Sequence, residues 1–399
     1  MSLDSIYIGM SGLNAFNQAL NTISNNVANI DTNGFKETLS QFDDVYDYGG
    51  SGYEYFSNNS QDQNGNGVTL APSQLDFSQG TLQQTGNPLD LAIKGSGFFV
   101  LQNPDGNILY TQTGSFSVDS SGYIVLSGTT DRLCTISANG DATPVNIQSL
   151  ETNQPVATTT VTFANNLSSS ATSDTVSNID VYDSSGTEHV WSAAFAPSSD
   201  GVTGDWDVTV TDSTGTTIGK QTLKFSGSTP DPTADQLTFT SSPTNAQPLS
   251  VVFDFSNGVT SYSGGSTSTL SVASSDGNAL GNLSTVTVDD TGTIQIAYDN
   301  SKTAAGGTIA VADFREPQKL TQLGQGLFDN NNGGQMEIVK SGTSGVGNVE
   351  SGQIEASNVN LSNEFGDLII IQRGYQAASE IVSVSNDMLQ ELFGLRGRG

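Results

Sequence analysis

The sequence predicts a mainly β protein with an α-helix at each end of the chain. Three observations support this fold class: apolar residues at heptad spacing near the N-terminus, the same spacing near the C-terminus, and strand-like segments separated by turn residues between them. We expect the terminal helices to form a coiled-coil-like core domain beside two antiparallel β-domains, with the outer β-domain inserted in the inner one.

The N-terminal helix is predicted from a seam of apolar side chains at the a and d positions of successive heptads. Over residues 1–30 such a helix would be about 45 Å long. Amide side chains, rather than charged ones, occupy much of its remaining surface. The dipeptide Asn33-Gly34 predicts where it ends. The seam residues are Ile6, Leu13, Phe16, Leu20, Ile23, Val27 and Ile30.

The C-terminal helix is predicted from a second seam with the same spacing. Ser357 and Asn358 are its predicted N-cap residues, and Glu364 favours the first turns through the helix dipole. We interpret both seams as an assembly interface, through which the helices pack on each other or on neighbouring copies. The simpler alternative is a two-helix element of one globular domain. The residues of this seam are Leu361, Leu368, Ile371, Tyr375, Ala378, Val382, Leu389 and Leu392.

The segment between the helices alternates apolar and polar residues as β-strands do, for example at 208–210 and 294–296, and contains turn sequences such as 183–186. A Gly-, Ser- and Asn-rich stretch precedes it, which we interpret as an extended connector that could also fold along the subunit. The predicted division is a helical core of residues 1–40 and 358–399, a connector of 41–70, an inner β-domain of 71–147 and 287–357, and an inserted outer β-domain of 148–286.

The charge of the chain limits its partners. Its 399 residues include 41 acidic and 12 basic side chains, which gives a formal net charge of −29. Such a surface repels phosphate backbones and anionic lipid, so we expect neither nucleic acid nor a membrane as partner. We see no cleavable signal peptide, and no apolar run approaches the roughly 20 residues needed to cross a bilayer.

The sequence offers little chemistry. Cys134, the single cysteine, cannot form an intramolecular disulfide and is interpreted as a small buried apolar residue. His189, the single histidine, lies in a strand-like run without a nucleophile motif and is interpreted as structural. We therefore expect no enzymatic activity, no metal site and no cofactor. Two other classes of protein remain open: a glycosidase that uses two of the many carboxylates, and a secreted β-rich adhesin.

Two terminal motifs resemble those of a known family. The N-terminal motif 25–36 and the C-terminal motif around 372–377 are similar to the paired signatures of bacterial flagellar rod and hook proteins, and residues 87–99 resemble the inner β-domain of that family. One departure is Gln112, where family members often carry Arg, which we expect to alter a surface contact. The motif residues are Asn25, Asn26, Val27, Ala28, Asn29, Thr32, Gly34, Phe35, Gln372, Arg373, Tyr375 and Gln376.

The resemblance implies a structural subunit that forms a helical homopolymer in the axis of the flagellum. The large β-rich insertion favours a hook-type subunit, and the alternative within the family is a distal rod subunit. The resemblance also implies contacts with other axial proteins (distal rod, hook cap and hook–filament junction), export through the flagellar type III apparatus, and a location outside the cell in the hook.

Overall fold

The structure, a computed structural model, describes residues 3–46, 65–242, 247–343 and 345–396, with the side chains of 3, 4, 46, 66 and 392–396 left out. The chain divides into two compact units. The first unit consists of Met1–Gln148, Val286–Gln295 and Ala305–Gly399, and the second consists of Ser149–Thr285 and Ile296–Ala304.

The predicted fold class is confirmed, because the chain is mostly β with one helix near each terminus. Helix α1 spans Leu3–Ala28 and helix α2 spans Leu361–Arg396. Both belong to the first unit. Neither helix, over the residues that are described, is long and apolar enough to span a bilayer.

The predicted end of α1 at Asn33-Gly34 is wrong by several residues. The helix stops at Ala28, and residues 29–34 form turns. Gly34 has a φ of +69°, a left-handed conformation that favours glycine, and its N–H donates to the Glu355 carbonyl at 2.8 Å. Gly34 therefore ties the end of this turn to a distant strand instead of capping the helix.

The predicted N-cap of α2 is also wrong. Asn360 caps the helix, since its Oδ1 accepts the N–H of Ser362 at 3.0 Å and that of Asn363 at 3.4 Å. Asn358 instead joins two other segments: its Oδ1 accepts the N–H of Glu37 at 2.7 Å, and its Nδ2 donates to the carbonyl of Asp76 at 2.8 Å.

A 12-stranded, branched sheet dominates the first unit. Strand Phe98–Gln102 lies at its branch point, pairing with Ile108–Thr111, Arg132–Ile136 and Ala310–Phe314. A short 3₁₀ helix, Pro317–Lys319, precedes Thr321–Gly324. The strands of this unit are Thr38–Leu39, Phe42–Tyr46, Gly65–Leu70, Gln74–Leu75, Leu82–Gln84, Asp90–Lys94, Phe98–Gln102, Ile108–Thr111, Thr113–Val118, Ile124–Leu126, Arg132–Ile136, Ala142–Pro144, Ala310–Phe314, Thr321–Gly324, Leu327–Asp329, Met336–Lys340, Asn348–Ser351 and Gln353–Glu355.

Aromatic side chains fill the core of this sheet. The ring centroid of Phe98 lies 5.4 Å from those of Phe77 and Phe314 and 5.8 Å from that of Phe328. Cys134 belongs to the same cluster and is fully buried, as predicted. Burial raises the pKa of its thiol to about 12, which makes it an unreactive core residue.

The predicted connector 41–70 is not simply extended. Its described ends form two antiparallel strands, Phe42–Tyr46 and Gly65–Leu70, in which Phe42 pairs with Leu70. We call these strands the N-terminal hairpin. Residues 47–64, which hold most of the Gly- and Ser-rich sequence, lie outside the described residues.

The second unit contains a four-stranded and a five-stranded sheet that share one core. Aromatic pairs link the sheets: the ring centroids of Phe163 and Phe195 are 6.5 Å apart, and those of Trp191 and Phe253 are 6.3 Å apart. The strands of this unit are Thr152–Asn153, Thr160–Asn166, Asp174–Tyr182, Glu188–Pro197, Trp206–Asp212, Thr217–Leu223, Phe225–Ser226, Thr229–Pro230, Gln236–Ser241, Leu249–Asp254, Val259–Thr260 and Ser271–Ser275.

One strand of the second unit departs from the predicted antiparallel pairing. Thr160–Asn166 is parallel to Leu249–Asp254 and to Val259–Thr260. The chain forms the other sheet of the unit between these strands, so no hairpin connects them. The division between the units falls at the 3₁₀ helix Gln148–Leu150 and within three further strands, Gly281–Val288, Thr293–Tyr298 and Thr303–Thr308.

Candidate assembly surface

Small residues bring α1 and α2 into close contact. A Cβ on Gly9 would lie 2.7 Å from Val382 Cγ2, and one on Gly12 would lie 3.4 Å from Ala378 Cβ. On the facing helix, a Cβ on Gly374 would lie 2.5 Å from the Phe16 ring. Since real Cβ contacts are longer than the first and last of these distances, an alanine at position 9 or 374 would require Val382 or the Phe16 ring to shift.

The two predicted seams meet in part. Ile23 and Ile371, together with Ala19, form a buried cluster against which Leu20 and Leu368 pack. Ala378 is also buried, whereas Leu361 and Tyr375 are exposed, and the side chain of Leu392 lies outside the described residues. The remaining seam residues are half-buried: Ile6, Leu13, Phe16, Leu20, Val27, Ile30, Leu368, Val382 and Leu389.

The most deeply buried face of α1 lies beside the predicted seam. Gly9, which occupies a seam position seven residues before Phe16, is buried together with Gly12, Ala15 and Ala19 beside the seam, while most of the larger seam residues remain half-buried. Small side chains let the helix axes approach closely, so the tightest contact forms along the glycines and alanines and not along the large apolar side chains of the seam. The seam therefore retains apolar surface that α2 does not cover.

The N-terminal hairpin covers a further part of α1. The rings of Phe16 and Phe42 have centroids 5.3 Å apart, and Leu70 packs on the helix cluster. Ser11 Oγ accepts the N–H of Val68 at 3.1 Å. These contacts explain why the described ends of the predicted connector are ordered as strands.

The N-terminal motif supplies polar contacts at the end of α1. Asn26 is buried, and its amide donates to Glu364 Oε1 at 2.7 Å and to the Thr38 carbonyl at 3.0 Å. Asn29 Nδ2 donates to the Asn25 carbonyl at 2.9 Å. Thr32 Oγ1 donates to Asn29 Oδ1 at 3.1 Å.

The other motif residues divide between interior and surface. Phe35 is buried, while Val27 is half-buried and Ala28 is exposed. On α2 the motif side chains point to solvent: Gln372, Arg373, Tyr375 and Gln376 are all exposed. The C-terminal motif therefore presents polar and aromatic groups that no described residue of this chain covers.

A second apolar surface on α2 was missed by the heptad analysis. Ile370 is 67% exposed, and the sequence 369–371 is a run of three isoleucines that cannot all lie in one seam. Apolar side chains outside the a and d positions of a paired helix indicate a further partner, and this signal was available in the sequence. Among the described side chains, the large exposed apolar residues of α2 outside the seam are Phe365, Ile369, Ile370, Ile381, Val384 and Met388, and those of α1 are Tyr7, Ile8 and Met10.

Other candidate residues lie in structural settings. His189 Nε2 lies 3.4 Å from Asp183 Oδ2, and the same carboxylate accepts hydrogen bonds from Ser185 and Thr187 in a β-turn. These bonds, that from Ser185 foremost, lower the pKa of Asp183 well below its usual range. The described residues include no group of His, Cys, Asp and Glu side chains that could hold a metal ion.

The expected surface position of Gln112 is wrong. Its side chain is buried, and its Nε2 donates to the Gly97 carbonyl at 3.3 Å. Its Oε1 accepts no hydrogen bond from the described residues. The residue lies between strands Ile108–Thr111 and Thr113–Val118, where the sheet covers it.

Three family models match separate parts of the chain. The model described as flagella basal body rod protein matches residues 6–36. The flagellar hook protein FlgE/F/G D1 domain matches residues 92–150, and the flagellar basal body rod FlgEFG protein C-terminal model matches residues 350–395. The first match covers most of α1, and the third covers all but the last residue of α2.

Similarity to curated proteins extends over almost the whole chain. The flagellar hook protein FlgE of Escherichia coli (strain K12) is 30% identical, with 97% of this chain and 98% of that protein covered. The chain belongs to the flagellar hook protein FlgE family. The FlgE of Treponema pallidum (strain Nichols) is 28% identical over 98% of this chain and 99% of its own length. A solved structure, that of Helicobacter pylori FlgE2, aligns with a TM-score of 0.49 at 13% identity, covering 67% of this chain and 99% of that chain.

Proposed function

We propose that this chain is the structural subunit of the bacterial flagellar hook, polymerising into a curved, flexible tube that transmits torque from the rod to the filament. It acts by assembly, without enzymatic activity or a cofactor. Membership of the FlgE family supports this proposal, as does the uncovered apolar surface of the helix pair.

The observation that carries the proposal is the exposed apolar flank of α2. One face of the helix packs on α1, yet Ile370, Ile381 and Met388 remain exposed on another face. Fully burying one such side chain contributes about 1.5–3 kcal/mol. A second copy of the helix pair would bury several together, which supplies a driving force for a polymer.

In the polymer we infer a layered arrangement. Residues 1–40 and 358–399 would form the inner tube, where the apolar contacts are strongest. Residues 71–147 and 287–357 would form the next layer, and residues 148–286 the outer one. Their polar, weakly charged surfaces suit wet contacts that re-form at slightly different spacings as the tube bends.

Partners and location follow from the same proposal. The chain would contact the distal rod, the hook cap and the hook–filament junction, and would leave the cell through the flagellar type III apparatus. A net charge of −29 opposes binding to nucleic acid or to anionic membranes. The same charge makes subunits repel one another, so assembly should be favoured by salt.

The proposal is tested by concentrating the purified protein in high salt and examining it by electron microscopy. We expect curved tubes. Ile381→Asp should remove the tubes while leaving the helix pair of the monomer folded, because the Ile381 side chain is 49% exposed before assembly and only borders the α1 contact beside Gly9. The matched control is Ser383→Asp, which adds the same charge at an exposed polar position about 200° around the same helix.

The outcomes separate the alternatives. Straight, stiff rods from the wild-type chain would indicate a distal rod subunit. Binding of a glycan by a monomer that never polymerises would indicate an adhesin. Normal tubes from the Ile381→Asp variant would show that this flank of α2 lies outside the assembly contact.

A further inference from the structure

A pocket of about 180 Å³ lies where the segment after α1 meets the start of α2. We call it the junction pocket. Ile23 and Ile370 contribute apolar walls, and Glu37, Glu364 and Asp367 contribute carboxyl groups. Glu364 is buried there, Glu37 is half-buried and Asp367 is exposed, so the two glutamates lose part of their hydration.

Glu364 is the best fixed of these groups. Its side chain is only 3% exposed and its Oε1 accepts a hydrogen bond from Asn26 Nδ2 at 2.7 Å. It lies in the first turn of α2, where the helix dipole favours a negative charge. Glu364 therefore supplies a fixed hydrogen-bond acceptor at the wall of the pocket.

The neighbouring amide offers no further donor. Asn26 Nδ2 has two hydrogens, one for Glu364 and one for the Thr38 carbonyl at 3.0 Å, while its Oδ1 accepts the N–H of Thr38 at 3.1 Å. Any further hydrogen bond to the Glu364 carboxylate must come from another group. Glu37 lines the same pocket, and when it carries a proton its carboxyl O–H can donate to Glu364.

Among the described side chains, no cation forms an ion pair with Glu37. Helix α2 presents Glu364 and Asp367 to it, and the segment after strand Gln74–Leu75 presents Asp76. From α1 it meets the neutral Asn26. The ammonium of the adjacent Lys36 lies 2.8 Å from Glu355 Oε1 and forms its ion pair with that carboxylate.

We propose that a proton held on Glu37 joins its carboxyl group to Glu364 and thereby forms a pH-dependent clamp between the segment after α1 and the start of α2. In the closed state the Glu37 carboxyl O–H donates to the Glu364 carboxylate. When the proton passes to solvent, two carboxylates face each other and the junction loosens. The inference concerns the single chain and does not depend on the proposed polymer.

The titration of Glu37 supports the clamp. Burial, followed by the charge of Glu364, raises the pKa of Glu37 from 4.5 to about 7. Because the pKa is higher in the folded chain, the clamp contributes its full stability below about pH 4.5. This contribution is lost as the pH rises through about 7.

The test uses the full-length chain and measures urea unfolding through its helical circular dichroism between about pH 5 and pH 8. We expect the wild-type midpoint to fall as the pH rises. Glu37→Gln, which cannot ionise, should have a midpoint that stays nearly constant over this range. The control Glu380→Gln removes the same charge from an exposed position of α2 and should follow the wild type. A flat wild-type profile, or an unchanged fall in Glu37→Gln, would overturn the clamp.

A second measurement keeps the test valid if Glu37→Gln fails to fold. Hydrogen exchange of the wild-type chain, corrected for the intrinsic pH dependence of exchange, reports the local opening of the Thr38 amide, which is bonded to Asn26. We expect its opening constant to rise roughly 50- to 100-fold from pH 5 to pH 8, because opening returns the pKa of Glu37 from about 7 to 4.5 and its proton is released over this range. A constant that does not change across this range would also overturn the proposal.

Discussion

The ammonium of Lys36 lies 2.8 Å from Glu355 Oε1, and both side chains are at most 2% exposed. The pair joins two segments of the first unit that are 319 positions apart in sequence. Lys36 also donates to the Ser78 carbonyl at 3.1 Å, and Glu355 accepts the N–H of Gly80 at 2.6 Å. These bonds fix the segment after α1 against the strand that leads to α2.

Removing one member of this pair should strongly destabilise the first unit. Lys36→Met leaves the Glu355 carboxylate buried without its cation, which we expect to cost about 3–5 kcal/mol. The double variant Lys36→Met/Glu355→Gln should recover much of that loss, because the glutamine oxygen can still accept the Gly80 N–H. The measurement is urea unfolding followed by helical circular dichroism, since both described helices belong to the first unit.

The second unit provides an internal control for this experiment. Both tryptophans of the chain, Trp191 and Trp206, lie in it. We expect the transition seen by tryptophan fluorescence to keep its midpoint in Lys36→Met. An equal shift of both transitions would contradict the assignment of the loss to the first unit, and a stable Lys36→Met variant would contradict the role of the pair.

Glycine at position 374 should be required for the helix contact. In Gly374→Ala, higher helix propensity favours the variant by about 1 kcal/mol. The new methyl group, however, would press on the Phe16 ring, which itself packs against Phe42. Overpacking costs about 1–3 kcal/mol, so we expect a net loss of helix stability.

Gly366→Ala is the matched control for that substitution. Gly366 lies on the same helix, and a Cβ there would meet no atom within 4 Å. This variant should gain about 0.5–1 kcal/mol from helix propensity alone. Urea unfolding followed by helical circular dichroism should therefore move in opposite directions for the two variants. If both variants gain stability, the Phe16 ring moves aside for the new methyl group at no cost in free energy.

The acid stability of the second unit should depend on Asp207. Lys220 Nζ lies 2.9 Å from its carboxylate, and this bond, with others from Ser199 and Thr222, lowers the pKa of Asp207 to about 2. Because the folded pKa is depressed, the carboxylate contributes stability above its unfolded pKa of 3.8. That contribution, about 1 kcal/mol after allowing for solvent screening at the exposed Lys220, is lost as the pH falls toward 2.

Tryptophan fluorescence in urea at about pH 6 and about pH 3 measures this dependence. Asp207→Asn should be less stable than the wild type at the higher pH. The difference between its urea midpoints at the two pH values should also be smaller than in the wild type. Asp200→Asn removes a charge from an exposed position of the same unit and should keep the wild-type difference. If Asp207→Asn also keeps it, other carboxylates determine the acid stability of the unit.

The sequence predicted the helices better than it predicted their contact. Heptad spacing identifies apolar residues such as Leu20 and Ile371, so both helices and the mainly β middle could be predicted. Gly9 and Gly12 carry no apolar signal, however, and their role appears only once the facing helix is present. The run 369–371 did indicate a second apolar surface, because consecutive helix positions point in different directions.

Long-range hydrogen bonds account for other differences from prediction. Asn358 and Asn360 are equally good N-cap residues by type, and Asn358 is unavailable only because it binds Glu37 and Asp76. The parallel pairing of Thr160–Asn166 with Leu249–Asp254 likewise joins segments far apart in sequence. Local patterns carry no information about such partners.

The final prediction separates the two kinds of apolar residue on the helices. Leu20 is half-buried and packs on the cluster of Ala19, Ile23 and Ile371, so it already contributes to the helix pair of the single chain. Leu20→Asp should cost the first unit about 1–3 kcal/mol, since an apolar contact is lost and a charge is partly desolvated.

Leu20→Asp should also abolish tubes in the high-salt assembly while the tryptophan transition of the second unit is kept. Asn21→Asp adds the same charge at the next, exposed position and should still polymerise. This result would differ from Ile381→Asp, which we expect to block assembly with the helix pair intact. If Leu20→Asp forms normal tubes, assembly does not require a closed helix pair. A subunit whose helix pair is weakened would then still present the apolar flank of α2 in the geometry that assembly needs.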